Sequence, residues 1–288
     1  MKTGIVFEGG AFRTIFSCGV MDAFLENDIM PDYMIGVSAG AAYGVSYASR
    51  QKERNLKILL DYRNDKRYIS MHNMINRKNR SIYGLEFSYE TIPNELVPFD
   101  YDAYNAWNGE FYAVVTNVLT GKPEYKLFDP SDKTNTLLKA SCALPVLFPY
   151  IYMDGIPYLD GGLSDSIPYE RAFADGCDRV VVVLTREAGY KKKTSSSTKT
   201  LARAYLKYPE LSKDLLKRAG RYNRSLKKLE KLEKEGKVIV IRPESTQGFS
   251  RLEKDKSKIK KLYDDGYSKG NMIADRVKAF YQSNCPRE

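Results

Sequence analysis

The chain has 288 residues, 43% of them hydrophobic and 28% charged, which is enough for a sizeable core in one large domain or two modest ones. No apolar run approaches the roughly 20 residues that span a bilayer, and no signal-peptide pattern opens the sequence, so we expect a cytoplasmic protein or one exported by a route that leaves no N-terminal mark. The net charge of +10 is uneven, because residues 186–261 hold 24 Lys and Arg against 9 Asp and Glu. This basic segment leaves open a membrane surface, a nucleic acid or a merely solvated face.

Few side chains are available for metal binding or for a conventional catalytic triad. Cys18, Cys142, Cys177 and Cys285 are far apart and match no metal-ligand or disulfide spacing, so free thiols are expected. His72 is the only histidine, and no motif surrounds it. An ordinary histidine is favoured there over a catalytic base. A Ser-His-Asp triad would have to use His72.

The first elements of the chain alternate between strand and helix. Strands are predicted at 3–7 and 33–37, and helices at 15–27 and 39–50. This order indicates an α/β sheet covered by helices. Because right-handed crossovers bring the carboxyl ends of parallel strands to one edge, we expect Gly9 and Gly10 to lie beside Ser38.

The remaining elements are read from the same periodicities. Strands are predicted at 111–118, 124–128, 150–153, 156–159, 179–185 and 237–242, and helices at 55–62, 133–141, 168–176, 210–235 and 253–281. The rest of 51–110 is expected to be an irregular, tyrosine-rich cap with a turn signal at Pro93, and 187–199 a mobile loop. The apolar stripe of 210–235 indicates a helix packed on the domain, with a membrane-surface helix as the alternative.

One pentapeptide has the pattern of a catalytic nucleophile. Gly36, Ser38 and Gly40 form G-x-S-x-G between a predicted strand and a predicted helix. This is the setting of a nucleophile elbow, in which the serine stands on a sharp turn and the glycines allow close approach. Taken alone, the motif also fits an ordinary glycine-rich turn. Without a convincing histidine, Ser38 needs a carboxylate to accept its proton.

A second glycine turn follows the first strand. Consecutive amides at Gly9, Gly10 and Ala11 are candidates for an oxyanion hole, and Arg13 is placed to hold that loop or to add positive charge. Dinucleotide binding is a poor alternative, because the G-x-G-x-x-G pattern is incomplete and no acidic residue ends a following strand.

A third glycine turn carries the candidate base. Asp160 directly follows a predicted strand, and Gly161 and Gly162 leave its side chain accessible. Each of the three turns alone is compatible with an ordinary tight turn. Their combination indicates a catalytic site, because it supplies a nucleophile, a base and oxyanion donors.

Together the three motifs resemble the patatin-like phospholipase family, in which a G-G-G-x-R-G loop, a G-x-S-x-G elbow and a D-G-G or D-G-A turn serve a Ser-Asp dyad. The matching residues here are Gly9, Gly10 and Arg13, then Ser38, then Asp160. The small-residue segment 140–145 adds to the likeness, which spans roughly residues 4–185. The resemblance implies a three-layer α/β/α fold with a mainly parallel sheet. It further implies a catalytic domain at 1–185 with 51–110 as a cap, and a basic, mostly helical region at 186–288 packed on it.

The resemblance also implies an activity. We expect a serine lipid acyl hydrolase of the phospholipase A, lysophospholipase or esterase type, with an acyl-enzyme on Ser38 and Asp160 as general base. A fatty-acyl lipid or ester is the expected substrate, and neither a metal nor a cofactor is required. The basic region 186–261 is expected to make peripheral contact with an anionic membrane, and no nucleic acid is expected.

Two positions depart from the family pattern. Ala11 replaces the third glycine of the first loop, and Thr14 replaces its last. A positive φ at Ala11 would cost about 1–2 kcal/mol and displace an oxyanion amide, whereas Thr14 is expected to cap the following helix. The altered loop motivates an alternative function, a catalytically weak patatin-like module that binds lipid or a protein partner.

Overall fold

Eight strands form one sheet in the computed structural model, which describes residues 1–283. The strands are β1 Thr3–Phe7, β2 Tyr33–Val37, β3 Glu110–Asn117, β4 Pro123–Leu127, β5 Ile151–Met153, β6 Ile156–Asp160, β7 Arg179–Val183 and β8 Val238–Ile241. Their order is β5-β6-β3-β2-β1-β7-β8, with β4 also paired to β3. The five strands from β3 to β8 in this order are mutually parallel, whereas β4, β5 and β6 add antiparallel pairs at one side. The predicted, mainly parallel α/β sheet is therefore confirmed.

Helices cover both faces of this sheet. They are α1 Ile15–Glu26, α2 Ala39–Ala48, α3 Arg54–Tyr62, α4 Met71–Ile75, α5 Tyr101–Ala106, α6 Thr136–Ser141, α7 Tyr169–Ala174, α8 Ser196–Ala204, α9 Pro209–Lys234 and α10 Lys256–Gln282. A π-helix spans Phe87–Leu96, and short 3₁₀ turns span Ala11–Thr14 and Gly161–Leu163.

Successive side chains of each strand point to opposite faces of the sheet, so the hydrophobic core has one part on each face. In β1, the side chains of Ile5 and Phe7 join the core formed with α1, α2 and α10, whereas Val6 joins the core formed with α7 and α9. Val180 and Val181 of β7 divide in the same way. Because central strands of a covered sheet are buried on both faces, such apolar runs are what this architecture requires.

The apolar stripe of α9 is buried against the rest of the protein. Leu211, Leu215 and Leu229 are each about 1% exposed or less, which confirms the packed-helix prediction for this face. The alternative, in which the stripe enters a membrane, is wrong because protein already covers it. The lysines and arginines of the opposite face remain available to solvent.

The cap is more regular than the sequence suggested. Besides α3, the range 51–110 contains α4, the π-helix and α5, so an irregular segment was the wrong expectation. Side-chain caps start two of these helices, since Ser70 Oγ accepts from the Asn73 amide and Asp100 Oδ1 from the Ala103 amide. Pro93 lies inside the π-helix and does not mark a turn.

The loop prediction at 187–199 is wrong in its last part. Helix α8 begins at Ser196, and the hydroxyl of Ser195 accepts a hydrogen bond from the Thr198 amide at its start. Cys18, Cys142 and Cys177 are free thiols, and Cys285 lies outside the described residues. Between residues 1 and 283, no helix is both long and apolar enough to cross a membrane.

Candidate active site

Ser38 stands on the sharp turn between β2 and α2. Its backbone angles are φ 56° and ψ −127°, a conformation that costs a non-glycine residue about 1–3 kcal/mol. The turn is fixed from within α2, because the Ser38 carbonyl accepts hydrogen bonds from the amides of Ala41 and Ala42 at 2.9 and 3.0 Å. The side chain is half-buried at the carboxyl edge of the sheet, so a substrate can reach its hydroxyl.

The two glycines of the elbow occupy the positions that the motif predicts. Gly36 lies in β2 and Gly40 in the first turn of α2. A Cβ at Gly40 would lie 2.4 Å from the carbonyl oxygen of Phe7. Only glycine therefore allows α2 to start so close to the end of β1.

A buried hydroxyl supports the elbow from below. Ser141, the last residue of α6, accepts a hydrogen bond from the Ser38 amide at 2.9 Å and donates one to the Val114 carbonyl at 2.8 Å. The hydroxyl thus ties the strained turn to β3 and satisfies an amide that has no intrahelical partner. The sequence pointed to the segment 140–145 but assigned no role to Ser141 within it.

Asp160 is the last residue of β6 and is only 2% exposed. Its backbone is held firmly, because its carbonyl accepts from Thr116 Oγ1 at 2.8 Å and its amide donates to the Ala143 carbonyl at 2.9 Å. Side-chain Oδ1 accepts from the Gly162 amide at 2.7 Å, while Oδ2 is buried and makes no hydrogen bond of ordinary geometry to residues 1–283. One carboxylate oxygen is fixed and the other is free to accept a proton.

The surroundings of Asp160 favour a basic carboxylate. Burial raises the pKa of this carboxyl, and the nearby Ser38 hydroxyl, the Arg218 guanidinium and the Gly162 amide only partly oppose that rise. Ser38 and Asp160 line the same pocket, although the resting geometry does not complete a hydrogen bond to the free Asp160 oxygen. In the absence of substrate, the hydrogen bonds between catalytic groups are often long, and they shorten only when a substrate binds.

The first glycine loop lies beside this pair, as the sequence predicts. Gly9, Gly10 and Ala11 line the same polar pocket as Ser38 and Asp160. Within residues 1–283 the amides of these three loop residues make no hydrogen bond, so they are free to donate to a bound oxygen. Close packing positions the loop, since a Cβ at Gly9 would lie 2.6 Å from the Val37 carbonyl oxygen.

The two residues of this loop that differ from the family pattern, Ala11 and Thr14, adopt different backbone conformations. Ala11 has a φ of +51°, which is the strained alternative for a residue with a Cβ. The prediction that Thr14 caps α1 is wrong, because its hydroxyl is buried and makes no hydrogen bond to the described residues. The 3₁₀ turn Ala11–Thr14 leads directly into α1, which gives Thr14 helical angles and not the extended ones of a capping residue.

Arg13 is buried behind the glycine loop. It is 5% exposed, and its Nε finds no hydrogen-bond acceptor among residues 1–283. Burial, together with Arg186 and Arg251, lowers the pKa of Arg13 to about 10, so the guanidinium stays charged at neutral pH. It adds positive potential next to the oxyanion amides.

Helix α9 braces the site, which sequence reasoning did not anticipate. Arg218 Nε donates to the Gly162 carbonyl at 2.6 Å. Tyr222 donates its hydroxyl to Glu8 Oε1 at 2.7 Å, and the amide of Thr185 donates to Glu8 Oε2 at 2.7 Å. The only signal in the sequence was the excess of positive charge between residues 186 and 261.

A second, mainly apolar cavity meets Ser38. Ser38, Ala11 and Leu144 line both this cavity and the polar pocket. Its apolar and aromatic wall includes Tyr43 of α2 and residues of the cap, namely Ile58, Tyr68, Tyr83, Ile92 and Phe99. Ser38 therefore sits at the junction of an apolar and a strongly polar cavity.

Neither a metal-ligand cluster nor the histidine of the described chain lies at this site. Residues 1–283 contain no group of three or more His, Cys, Asp and Glu side chains arranged to hold a metal ion. His72 is exposed on α4 and lines neither cavity. A strained serine at the start of a helix, a buried aspartate and free loop amides lie together in this α/β protein, which is the arrangement expected of a hydrolase site.

Comparison with known proteins places the chain in a family. The family model for patatin-like phospholipase matches residues 5–173, and that for a domain of unknown function, DUF6363, matches residues 208–282. Since the first match covers more than half of the chain, the chain belongs to the patatin-like phospholipase family. Members of this family are lipid hydrolases.

Individual relatives are more distant. An uncharacterized protein of Escherichia coli, YjjU, is 30% identical over 190 residues, which are 64% of this chain and 52% of YjjU. Triacylglycerol lipase 4 of Saccharomyces cerevisiae is 22% identical over 59% of this chain and 22% of its own length. Among solved structures, VipD from Legionella pneumophila gives a TM-score of 0.43 at 15% identity, over 96% of this chain and 67% of VipD. The chain thus spans about half the length of YjjU.

Proposed function

We propose that this protein is a serine lipid acyl hydrolase in which Ser38 is the nucleophile and Asp160 the general base. This proposal rests on one observation: Asp160 is fully buried with a free Oδ2, and it lies beside a strained but accessible Ser38. A buried carboxylate oxygen without a donor is costly to maintain. Accepting the serine proton gives that oxygen a chemical role.

The acylation half of the reaction follows from this arrangement. Asp160 accepts the proton of the Ser38 hydroxyl while Oγ attacks the ester carbonyl carbon. The amides of Gly9, Gly10 and Ala11 stabilise the resulting oxyanion, a contribution worth about 2.7–4 kcal/mol per donor. The tetrahedral intermediate collapses, the carbon–oxygen bond to the alcohol breaks, and the leaving oxygen takes the proton from Asp160.

In deacylation, water takes the place of Ser38 as the nucleophile, and Asp160 is again the base. A water molecule gives its proton to Asp160, and its oxygen attacks the acyl-enzyme carbonyl. Collapse of the second intermediate releases the fatty acid, and the proton returns from Asp160 to Ser38 Oγ. Atoms and charges balance, and neither a metal nor a cofactor takes part.

The surroundings of Ser38 support a lipid substrate of the phospholipase A, lysophospholipase or esterase type. The apolar cavity under the cap offers a place for an acyl chain. We further propose that residues 1–185 form the catalytic unit with 51–110 as its cap, and that 186–288 completes the pocket from the other side. The basic face of 186–261 is proposed to meet an anionic membrane. The cytoplasmic location expected from the sequence stays a prediction.

A second candidate function rests on one observation, the positive φ of Ala11. If that strain turns an oxyanion amide away from the site, the protein is a weakly active module that binds lipid or a protein partner. The nucleophile would then be present without an effective oxyanion hole.

A fluorophosphonate probe, which reacts only with an activated serine, separates these two functions. We expect stoichiometric labelling of the wild type at Ser38 and none of Ser38→Ala. Fatty-acid release from a mixed lipid extract should follow the same pattern, and His72→Ala, a control away from both cavities, should behave like the wild type. An unlabelled but folded wild type would favour the binding module.

A further inference from the structure

The polar pocket beside Ser38 carries a large excess of positive charge. Five cationic side chains line it, contributed by Arg13, Arg186, Lys192, Arg218 and Arg251. In the described part of the chain none of the five forms an ion pair with an acidic side chain. Several cations gathered in one partly buried pocket repel one another unless an anion joins them.

The carboxylates in this pocket have other partners. Glu8 accepts hydrogen bonds from Thr185 through Oε2 and from Tyr222 through Oε1. Asp160 is held by the Gly162 amide and faces Ser38. Two carboxylates against five cations leave the pocket with an excess of positive charge.

The protein holds these cations in place. Lys192 is fixed through its backbone, whose amide donates to Asn223 Oδ1 at 2.8 Å and whose carbonyl accepts from Asn223 Nδ2 at 2.9 Å. Its ammonium group lies 3.8 Å from the centroid of the Tyr222 ring. Burial and the neighbouring Arg218 lower the pKa of Lys192 to about 7.

Two arginines tie the pocket to the glycine turns, Arg218 through its side chain and Arg251 through its main chain. Arg218 donates to the Gly162 carbonyl, and the Arg251 carbonyl accepts from the Phe12 amide at 3.3 Å. Four of the five cations come from beyond residue 185, outside the segment 5–173 that matches the patatin-like family model. The charge is thus added to the hydrolase site by the C-terminal region of this chain.

Ser38 lies between this pocket and the apolar cavity. If the acyl chain of an ester occupies the apolar cavity, its leaving alcohol enters the cationic pocket. We propose that the pocket binds the phosphate of the leaving group, so that the protein cleaves acylglycerol phosphates in preference to neutral acylglycerols. Because five cations face only two carboxylates in the pocket, a bare phosphate suits it better than a choline or ethanolamine ester, whose ammonium group would add to the excess positive charge. This inference rests on the proposed function.

Kinetics with two esters of the same acyl chain test the proposal. The wild type should hydrolyse 1-oleoylglycerol 3-phosphate with a kcat/KM at least about tenfold above that for 1-oleoylglycerol, since a hydrogen bond to a charged group is worth that factor or more. Lys192→Gln should reduce this ratio about tenfold. Lys193→Gln, an exposed neighbour of the same type, should leave the ratio intact, and Arg251→Gln gives a second test if Lys192→Gln folds poorly. A wild-type ratio near one, or equal effects of Lys192→Gln and Lys193→Gln, would overturn the proposal.

Direct binding separates failure of this inference from failure of the proposed hydrolase. Calorimetry on Ser38→Ala should detect glycerol 3-phosphate, and the additional change Lys192→Gln should abolish binding while Lys193→Gln should not. Such binding without any ester hydrolysis by the wild type would leave the phosphate site intact and refute the hydrolase. Hydrolysis of both esters at equal rates without phosphate binding would support the hydrolase and refute the phosphate site. Binding of inorganic phosphate together with equal ester rates would assign the pocket to free phosphate and overturn the headgroup proposal.

Discussion

The amide of Ser38 is held at 2.9 Å by the hydroxyl of Ser141, a residue 103 positions further along the chain. That one hydroxyl joins the elbow to the central strand β3 through the Val114 carbonyl. The proposed nucleophile is therefore oriented by a contact outside its own motif, and this relationship can be tested by deleting a single oxygen atom.

Ser141→Ala should impair both stability and turnover. The change leaves the Ser38 amide unpaired and removes a hydrogen bond to the Val114 carbonyl, which we expect to lower the free energy of unfolding by about 1–3 kcal/mol. It should also lower kcat more than it raises KM, because it disturbs the reacting oxygen and not the acyl cavity. Urea unfolding and steady-state kinetics measure the two effects. Ser17→Ala is the matched control, since it removes a buried hydroxyl that has no hydrogen-bond partner in residues 1–283. Equal losses of stability and turnover in the two variants would contradict the role proposed for Ser141.

Asp160→Asn should destroy activity and stabilise the protein. Loss of the general base is expected to lower kcat by about 10³-fold or more. Burial raises the pKa of Asp160 in the folded protein above its value in the unfolded chain. The protonated form therefore favours folding, and that stability is lost as the pH rises through the raised pKa. A neutral Asn side chain avoids this loss at neutral pH.

Thermal melting at neutral and acid pH measures this effect. The midpoint of Asp160→Asn should match or exceed that of the wild type at neutral pH, and the two should converge at acid pH where Asp160 is protonated. In the wild type, kcat/KM should fall as the pH drops through the same raised pKa. A variant that melts well below the wild type at neutral pH would show that the carboxylate has a structural role instead.

Ala11→Gly should relax the oxyanion loop. The φ of +51° at this position is strained for alanine and easy for glycine, so the substitution should raise the free energy of unfolding by up to about 1–2 kcal/mol. Activity should be equal or higher, because the amide geometry needs no Cβ. Chemical denaturation and ester hydrolysis measure the result, and Ala279→Gly at an exposed position of α10, away from the site, should instead destabilise by about 1 kcal/mol. A destabilised Ala11→Gly would mean that the methyl group packs usefully in the pocket.

The phosphate preference should depend on pH through Lys192. Its pKa of about 7 in the free protein reflects burial and the facing charges of Arg218, Arg251 and Arg13, partly opposed by Glu8. As the pH rises above about 7 the ammonium group loses its proton, so the preference for the phosphate ester should weaken. A phosphate monoester is already dianionic above its second pKa of about 6 and adds no titration of its own there.

Lys192→Arg provides the control for this dependence. Its guanidinium stays protonated across the range, so the ratio of kcat/KM for the two oleoyl esters should remain high at alkaline pH. The measurement is that ratio at several pH values between neutral and mildly alkaline for both proteins. Identical profiles for the wild type and Lys192→Arg would exclude Lys192 as the titrating group.

The sequence predicted the sheet and the three motif turns well. Strands β1 and β2 were recognised with their observed bounds because short apolar runs end at glycines. The adjacency of Gly9 to Ser38 followed from the handedness of the crossovers alone. Such features depend on local patterns and on rules that hold for every parallel sheet.

Features that depend on distant contacts were missed. The helices of the cap begin at side-chain caps such as Ser70 and Asp100 within a polar stretch, so no apolar periodicity revealed them. The cations of the pocket are dispersed from Arg13 to Arg251, and only the folded chain brings them together. Net charge indicated the basic region but not which of its many lysines and arginines turn inward.

The hydrogen bond from Tyr222 to Glu8 joins residues 214 positions apart. Glu8 follows β1, whereas Tyr222 lies far along the chain on α9. During translation the N-terminal strands therefore emerge long before the helix that completes their pocket, and we expect a nascent chain to lack both the brace and the inward cations. The proposed hydrolysis would then begin only after α9 has left the ribosome and docked, so that catalysis waits for synthesis of this region.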